Sequence, residues 1–289
     1  MSRTVRVALC QAESNLGGDG VDPRPENLAR ALDFMRRAKA DGAELLLFGE
    51  VYLNGYRSDA ALREFSTTLM PPDRHVETLL QVARELNVWV AMGISRRATT
   101  AQGGIFNCAA LFGPSGLVGS YDKVHLGTFP LRDGRVALEG AIWRPGREYK
   151  VFETPLGQIG LQICRDIRFP EASRVLALRG AELILNLSAA AEVRIGSWNY
   201  FTQARAAENL AWLAMTSVVG AQKDFRLFGG SRIVNPYGDV VARTKDDQED
   251  LVVHEIDLDE VQAARVMSHV FDTRVPAAYA AITEQIPAE

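Results

Sequence analysis

Val5, Val7 and Leu9 alternate with polar or small residues, a period of two that predicts a strand. "PENLARALDFMRRAKADG" follows, and its Leu28, Leu32 and Met35 recur at helical spacing. Pro25 suits the first turn of that helix, and Gly42 suits its end. "AELLLF" is apolar throughout, the pattern of a short strand covered on both faces. The theme repeats: "DRHVETLLQVARELN" reads as a helix and "VWVAMGI" as a strand. Helices alternating with buried strands predict a layered α/β fold.

Three later turns share one recipe: "GPSG" at 113–116, "TPLG" at 154–157 and "NPYG" at 235–238. Each has Pro second and Gly fourth and lies between apolar segments, which predicts antiparallel hairpins within the sheets. "PEASRVLALRG" and "SWNYFTQARAAENLAW" read as helices, with the strand "AELILNLS" between them. The stretch from Lys123 to Tyr149, which contains Gly127, Pro130, Gly134, Gly140, Pro145 and Gly146, reads as a long functional loop. We find no linker that divides the chain, so residues 1–257 are expected to form one domain. Residues 258–289 are expected to be a C-terminal tail that packs on a partner subunit.

Composition narrows the classes. The chain is 47% hydrophobic with a net charge of −4 and no basic block, so neither nucleic acid nor a membrane is expected as partner. The N-terminal apolar run is too short for a signal peptide, and no segment suffices to span a bilayer; a soluble, cytoplasmic protein is expected. Three cysteines are not a disulfide framework, and the spacing of Cys and His matches no zinc motif. No cofactor and no metal are expected.

The candidate chemistry lies where apolar runs meet polar turns. In "GQIGLQICRDIRFPE", Cys164 ends a strand and precedes Arg165, Asp166 and Arg168. A thiol attacks only as thiolate, so it needs a neighbouring base or cation. A lone cysteine is more often a small buried hydrophobe, and Cys10 and Cys108, inside apolar strands, are read that way. Glu50 in "LLLFGEVYLNGY" is a carboxylate directly after a buried strand, costly unless paired or working. Lys123 in "VGSYDKVHLG" could stabilise an oxyanion, or sit at the surface. His125 beside it offers a rival Cys–His pair. Glu139 in "VALEGAIWRPG" lies in the long loop. Spacing alone does not bring these residues together.

The ensemble resembles the nitrilase, or carbon–nitrogen hydrolase, superfamily. "FGEVYLNGY" is similar to its glutamate segment, "GLVGSYDKVHL" to its lysine segment and "GLQICRDIRFPE" to its cysteine segment. "LEGAIWRPG", "QARAAENLAW" and "GGSRIVNPYGDVVA" match further landmarks in the same order. The resemblance implies a four-layer α-β-β-α sandwich whose subunits associate as a homodimer or larger homo-oligomer. It implies a catalytic set of Glu50, Lys123 and Cys164, with Glu139 as accessory glutamate. The implied activity is amide hydrolysis through a cysteine thioester, releasing ammonia and needing no cofactor. An N-carbamoyl amino acid hydrolase and a non-catalytic oligomeric binding protein are the alternatives. Arg165 stands where the family often has an aromatic residue, and "CRD" differs from the nitrilase-type Cys-Trp-Glu, which favours amides over nitriles. Asp122, where a basic residue is common, is read as surface variation. Tyr56, Phe129 and Trp198 are read as pocket walls. Arg165 is a candidate to hold a substrate carboxylate, whereas Arg168 is expected to pair internally with Asp166 or Glu171.

Overall fold

The computed structural model describes residues 2–18, 20–57, 61–99, 103–130, 136–191, 195–222 and 226–284. The period-two segment is strand β1 (Thr4–Gln11), and the first helical pattern is α1 (Arg24–Ala40). Leu28, Ala31, Phe34, Met35 and Ala38 form the buried stripe of α1, and Gly42 follows its cap with a φ of +84°. β2 (Leu45–Leu47), the short helix α2 (Ala61–Glu64), α3 (Arg74–Leu86) and β3 (Trp89–Arg97) come next. Asp73 caps α3 by accepting from the His75 and Val76 N–H groups.

β4 (Ile105–Gly113) and β5 (Gly116–Asp122) form the first hairpin. A small ribbon of β6 (Thr128–Pro130) and β7 (Val136–Leu138) lies within the stretch expected to be loop. β8 (Val151–Thr154) and β9 (Gly157–Ile163) form the second hairpin, followed by α4 (Pro170–Leu178), β10 (Leu183–Ser188) and α5 (Ile195–Asn209). The chain continues through β11 (Trp212–Ser217) and a ribbon of β12 (Val219–Ala221) and β13 (Arg226–Phe228). The third hairpin, β14 (Arg232–Val234) and β15 (Val240–Arg243), precedes β16 (Asp250–Asp257) and α6 (Asp259–Ser268). All three hairpins are antiparallel as expected. Their closing glycines, Gly116, Gly157 and Gly238, have φ of +134°, +107° and +94°, which is why each turn ends in Gly.

The described strands assemble two six-stranded sheets, ordered β16-β1-β2-β3-β4-β5 and β15-β14-β11-β10-β9-β8. β1, β2 and β3 run parallel, as do β9, β10 and β11, with antiparallel strands outside them. Alternation along each strand sorts its side chains between layers. Val7, Leu9, Leu45 and Leu47 face Leu161, Ile163, Leu185 and Leu187 in a core between the sheets. Ala8, Cys10 and Leu46 point the other way, onto Phe34, Met35 and Leu79 of α1 and α3. On the far side, Leu176 of α4 packs against Ile184, and Ala206 of α5 against Leu213 and Met215. This is the expected four-layer α-β-β-α sandwich. Truncating one of the fully buried leucines to Ala would cost about 2–5 kcal/mol.

One expectation is corrected. α5 ends at Asn209 rather than running through Trp212; Leu210 takes a φ of +46°, which breaks the helix, and Trp212 opens β11. At the start of the 258–289 segment, Leu258 and Val261 are buried in the intersheet core of their own chain. Beyond α6 an exposed 3-10 segment spans Pro276–Thr283. No helix among the described residues is long and apolar enough to cross a membrane.

Candidate active site

The parallel strands of both sheets end near one another, and that junction gathers the chemistry. Glu50 follows β2, and its N–H donates to the Ser188 carbonyl at the end of β10 (3.0 Å). The Val218 N–H donates to the same carbonyl (3.0 Å). The sheets come so close here that a Cβ on Gly49 would lie 2.6 Å from the Val218 nitrogen. Glycine before Glu50 is therefore a requirement of the junction.

Lys123 arrives from the other side, just past β5, with its N–H donating to the Asn107 carbonyl (2.8 Å). Its ammonium donates to Glu50 Oε1 at 2.6 Å and to Glu139 Oε1 at 2.8 Å. Glu139 opens a 3-10 turn after β7 and also accepts from the Tyr56 hydroxyl and the Gly127 N–H. Glu50 and Lys123 are each 1% exposed and Glu139 is 3% exposed. Two carboxylates thus share one buried ammonium.

Cys164 closes the group. It follows β9 and opens a 3-10 turn, Cys164–Arg168, with a φ of +43°. A non-glycine residue in that region is strained and must be held by its surroundings. Asp166 does the holding. Its carboxylate accepts from the Ile163 N–H (2.9 Å), the Tyr121 hydroxyl (2.7 Å) and the His125 N–H (3.1 Å). The first N–H groups of such a turn lack acceptors within it, so the Arg165 amide is available to an oxyanion beside the sulfur. The thiol is close enough to Glu50 and Lys123 for their charges to act on it.

Electrostatics divides the two glutamates. Burial pushes the Glu50 carboxyl up; Lys123 pulls it down, Glu139 pushes it up again, and it stays above the ordinary carboxylate range. Burial acts on Glu139 too, but the charge of Lys123 and the bonds from Lys123, Tyr56 and Gly127 outweigh it and hold Glu139 low. Burial alone would lower Lys123, yet the two carboxylates raise it, so it remains an ammonium. The Cys164 thiol is pushed up by burial and by the Glu50 charge, and Lys123 only partly offsets them. The resting pair is a neutral thiol beside a carboxyl of raised basicity, an arrangement suited to proton transfer during attack rather than before it.

The structure brings together Glu50, Lys123, Glu139 and Cys164, with Tyr56 bonded to Glu139 and packed on Trp143. Tyr56 is therefore a support of the glutamate. His125 is committed elsewhere: its Nδ1 lies 3.0 Å from Asp166 and 2.9 Å from the Tyr149 hydroxyl, and its ring stacks on Phe169. Trp198 is buried in an apolar cluster against which Cys164 packs. The Phe129 side chain lies outside the described residues. Arg165 stands 5.9 Å over the Phe169 ring. Arg168 lies 5.2 Å over the Phe201 ring, and not in the expected ion pair, because Asp166 is occupied by its own turn. Asp122 is no surface variation; it forms a bidentate pair with Arg96 at 3.1 and 2.6 Å and is 23% exposed at its side chain. Sequence reasoning also missed Asn107, whose amide donates to Glu50 Oε1 at 2.7 Å. A polar residue inside the apolar "FNCAALF" was the available signal, since burial there is costly without a partner.

The family model for carbon-nitrogen hydrolases matches residues 6–266. The chain belongs to the carbon–nitrogen hydrolase family. Among similar proteins, omega-amidase NIT2 of Homo sapiens is 29% identical over 252 residues, covering 86% of this chain and 89% of the relative. An (R)-stereoselective amidase of Pseudomonas sp. is 34% identical over 240 residues, covering 83% and 82%. A solved structure of a mutant amidase from Nesterenkonia sp. AN1 matches with a TM-score of 0.73 and 27% identity, covering 93% of this chain and 96% of that one. That structure shows covalent addition of the acetamide moiety of fluoroacetamide at its active-site cysteine. This hydrolase therefore shares fold and sequence with enzymes that cleave carbon–nitrogen bonds, and it is an enzyme of that kind.

Proposed function

We propose that the protein is an amidase that converts a small amide to a carboxylate and ammonia through a thioester on Cys164. The observation that carries this reading is the buried Glu50–Lys123–Glu139 group with the Cys164 thiol at its edge. Glu50 takes the thiol proton as sulfur attacks the carbonyl carbon. The Lys123 ammonium and the Arg165 N–H stabilise the oxyanion. Glu50 returns its proton to the leaving nitrogen, ammonia departs, and the thioester remains. Glu50 then takes a proton from water, whose oxygen attacks the thioester; the carboxylic acid leaves and the thiol is restored. Both half-reactions need one carboxyl in two charge states, which fits its raised basicity. Glu139 keeps Lys123 charged and aimed. The neutral resting thiol makes the base essential, and the omega-amidase and (R)-stereoselective amidase among its relatives support an amide substrate.

Arg165 follows the nucleophile directly and has no carboxylate partner among the described residues. We assign it to a substrate carboxylate, which favours ω-amides and, as second reading, N-carbamoyl amino acids. The exposed apolar side chains of Val266, Met267, Val275, Tyr279 and Ile282 support a homodimer or larger assembly in which the outer tail is covered by a second copy. Work in the cytoplasm remains part of this proposal. The test is ammonia release from aliphatic amides, ω-amides, carbamoyl acids and nitriles. At least one amide should be turned over by the wild type and by no Cys164→Ala protein; retention of full turnover by Cys164→Ala would end the scheme.

A further inference from the structure

We infer that Asn107 is a positioning residue that decides which oxygen of Glu50 carries the proton. Its carboxamide and the Lys123 ammonium both bond Oε1, leaving Oε2 as the oxygen without a donor. This rests on the amidase reading above and adds an atom-level assignment to it.

The geometry is specific. Asn107 lies on β4, a strand paired on both sides, and is fully buried. Its main-chain carbonyl accepts from the Lys123 N–H at 2.8 Å, and its side-chain Nδ2 donates to Glu50 Oε1 at 2.7 Å. One residue of a rigid strand therefore registers both the lysine and the glutamate. Oε1 already accepts from Lys123 at 2.6 Å, so two donors converge on one oxygen. Oε2 is buried and has no hydrogen-bond partner among the described residues. The Cys164 thiol is near enough to the same carboxylate to influence it electrostatically. Asn107 Oδ1 is also buried without a partner. The amide thus leaves its own acceptor unsatisfied while its donor end faces Glu50. The reverse orientation would set one oxygen against another, so the charge on Glu50 dictates which way the amide points.

The division matters chemically. An oxygen that accepts two hydrogen bonds is the weaker base of the carboxylate, and the bare oxygen is the stronger. Fixing the carboxylate plane holds that stronger base in one orientation through both half-reactions. Without Asn107, the carboxylate can rotate, and its charged form loses a donor.

The charged and titratable groups facing Glu50 are Lys123 after β5, Glu139 after β7, Cys164 after β9 and Tyr56 from the segment after β2. Lys123 stays cationic and Glu139 anionic in the variants considered, so the withdrawn donor is the main change. A hydrogen bond to the charged form lowers a carboxyl pKa; its removal raises the Glu50 pKa further. Activity that needs the Glu50 carboxylate then falls off at higher pH than in the wild type.

Iodoacetamide is the probe, because it needs no knowledge of the substrate. Its alkylation of Cys164, followed by intact mass and peptide mapping between pH 4 and 9, reads proton removal from the thiol. Cys10 and Cys108 are buried and give no competing signal in folded protein. Asn107→Leu removes the donor at similar size, and Asn107→Ser keeps a shorter hydroxyl donor. The Leu variant should move the acid limb of the labelling rate up by about one pH unit and slow labelling above it about tenfold. The Ser variant should shift it less at a comparable loss of thermal stability. If Asn107→Leu does not fold, Asn107→Ala is read in the same way. A limb unchanged from wild type in a folded donorless variant would overturn the assignment, even with reduced Tm. The absence of any acyl adduct on wild-type Cys164 with every amide of the panel would instead defeat the amidase scheme itself, so the two failures are distinguishable.

Discussion

Replacing Lys123 with methionine isolates what one buried ammonium does. The ammonium lies 2.6 Å from Glu50 and 2.8 Å from Glu139, and all three side chains are almost fully buried. Methionine fills the space but leaves two carboxylates facing each other without a cation. Removing one partner of a buried ion pair costs about 3–5 kcal/mol. For a chain of this size that is a fall in Tm of roughly 10 °C. The cost depends on pH, and the sign follows from which state holds more protons. With Lys123 gone, burial and mutual repulsion both raise the folded-state pKa of the two carboxyls above their unfolded values. The folded variant then binds more protons than the unfolded chain, so its stability is present at low pH and lost as pH rises through the raised pKa. In the wild type Glu139 behaves oppositely: its folded pKa is held low, so its contribution is present at neutral pH and lost on acidification. Thermal unfolding of both proteins from pH 4 to 8 should therefore show a gap that widens with pH. Turnover in the variant should fall by about 10²–10³, the cost of one oxyanion donor. A variant as stable as wild type at pH 8, or one whose deficit grows on acidification, would refute the reasoning.

Further outcomes follow from individual contacts. Asp166→Asn weakens the bonds that hold Cys164 at its strained φ. It should cost about 1.5–3 kcal/mol in urea unfolding and lower kcat more than it raises KM. Tyr56→Phe removes a donor from Glu139, so the Glu139 pKa should rise and the acid-side loss of stability should begin at higher pH, read from Tm against pH. The wild-type kcat/KM profile should have its acid limb above the ordinary glutamate range, because Glu50 is raised; a limb at or below that range would contradict the proton-shuttle role. Asp122→Ala should destabilise the β3–β5 edge by about 1 kcal/mol with little effect on kcat.

Most of the layered fold is written in short-range patterns. Leu45–Leu47 announces a strand covered on both faces, and the closing glycines of the hairpins announce their backbone requirement. The end of α5 was not legible, because Asn209 and Leu210 are ordinary in composition and the stop is a single left-handed residue. The four central site residues were visible as polar groups at the ends of apolar runs, but their meeting was not, since it depends on two sheets stacking in register. Resemblance supplied that connection. Asn107 and Asp166 escaped because their value lies in whom they bond: one reaches Glu50, the other a turn, a tyrosine and a histidine. Local sequence likewise offered Arg168 a carboxylate two residues away that the fold had already used.

Acid-quenched intact mass spectrometry of wild-type protein during turnover of an active amide tests the scheme most directly. The account predicts an added acyl mass that peptide mapping places on Cys164, and its absence from Cys164→Ala. Full turnover with no acyl adduct, or an adduct on another residue, would contradict it.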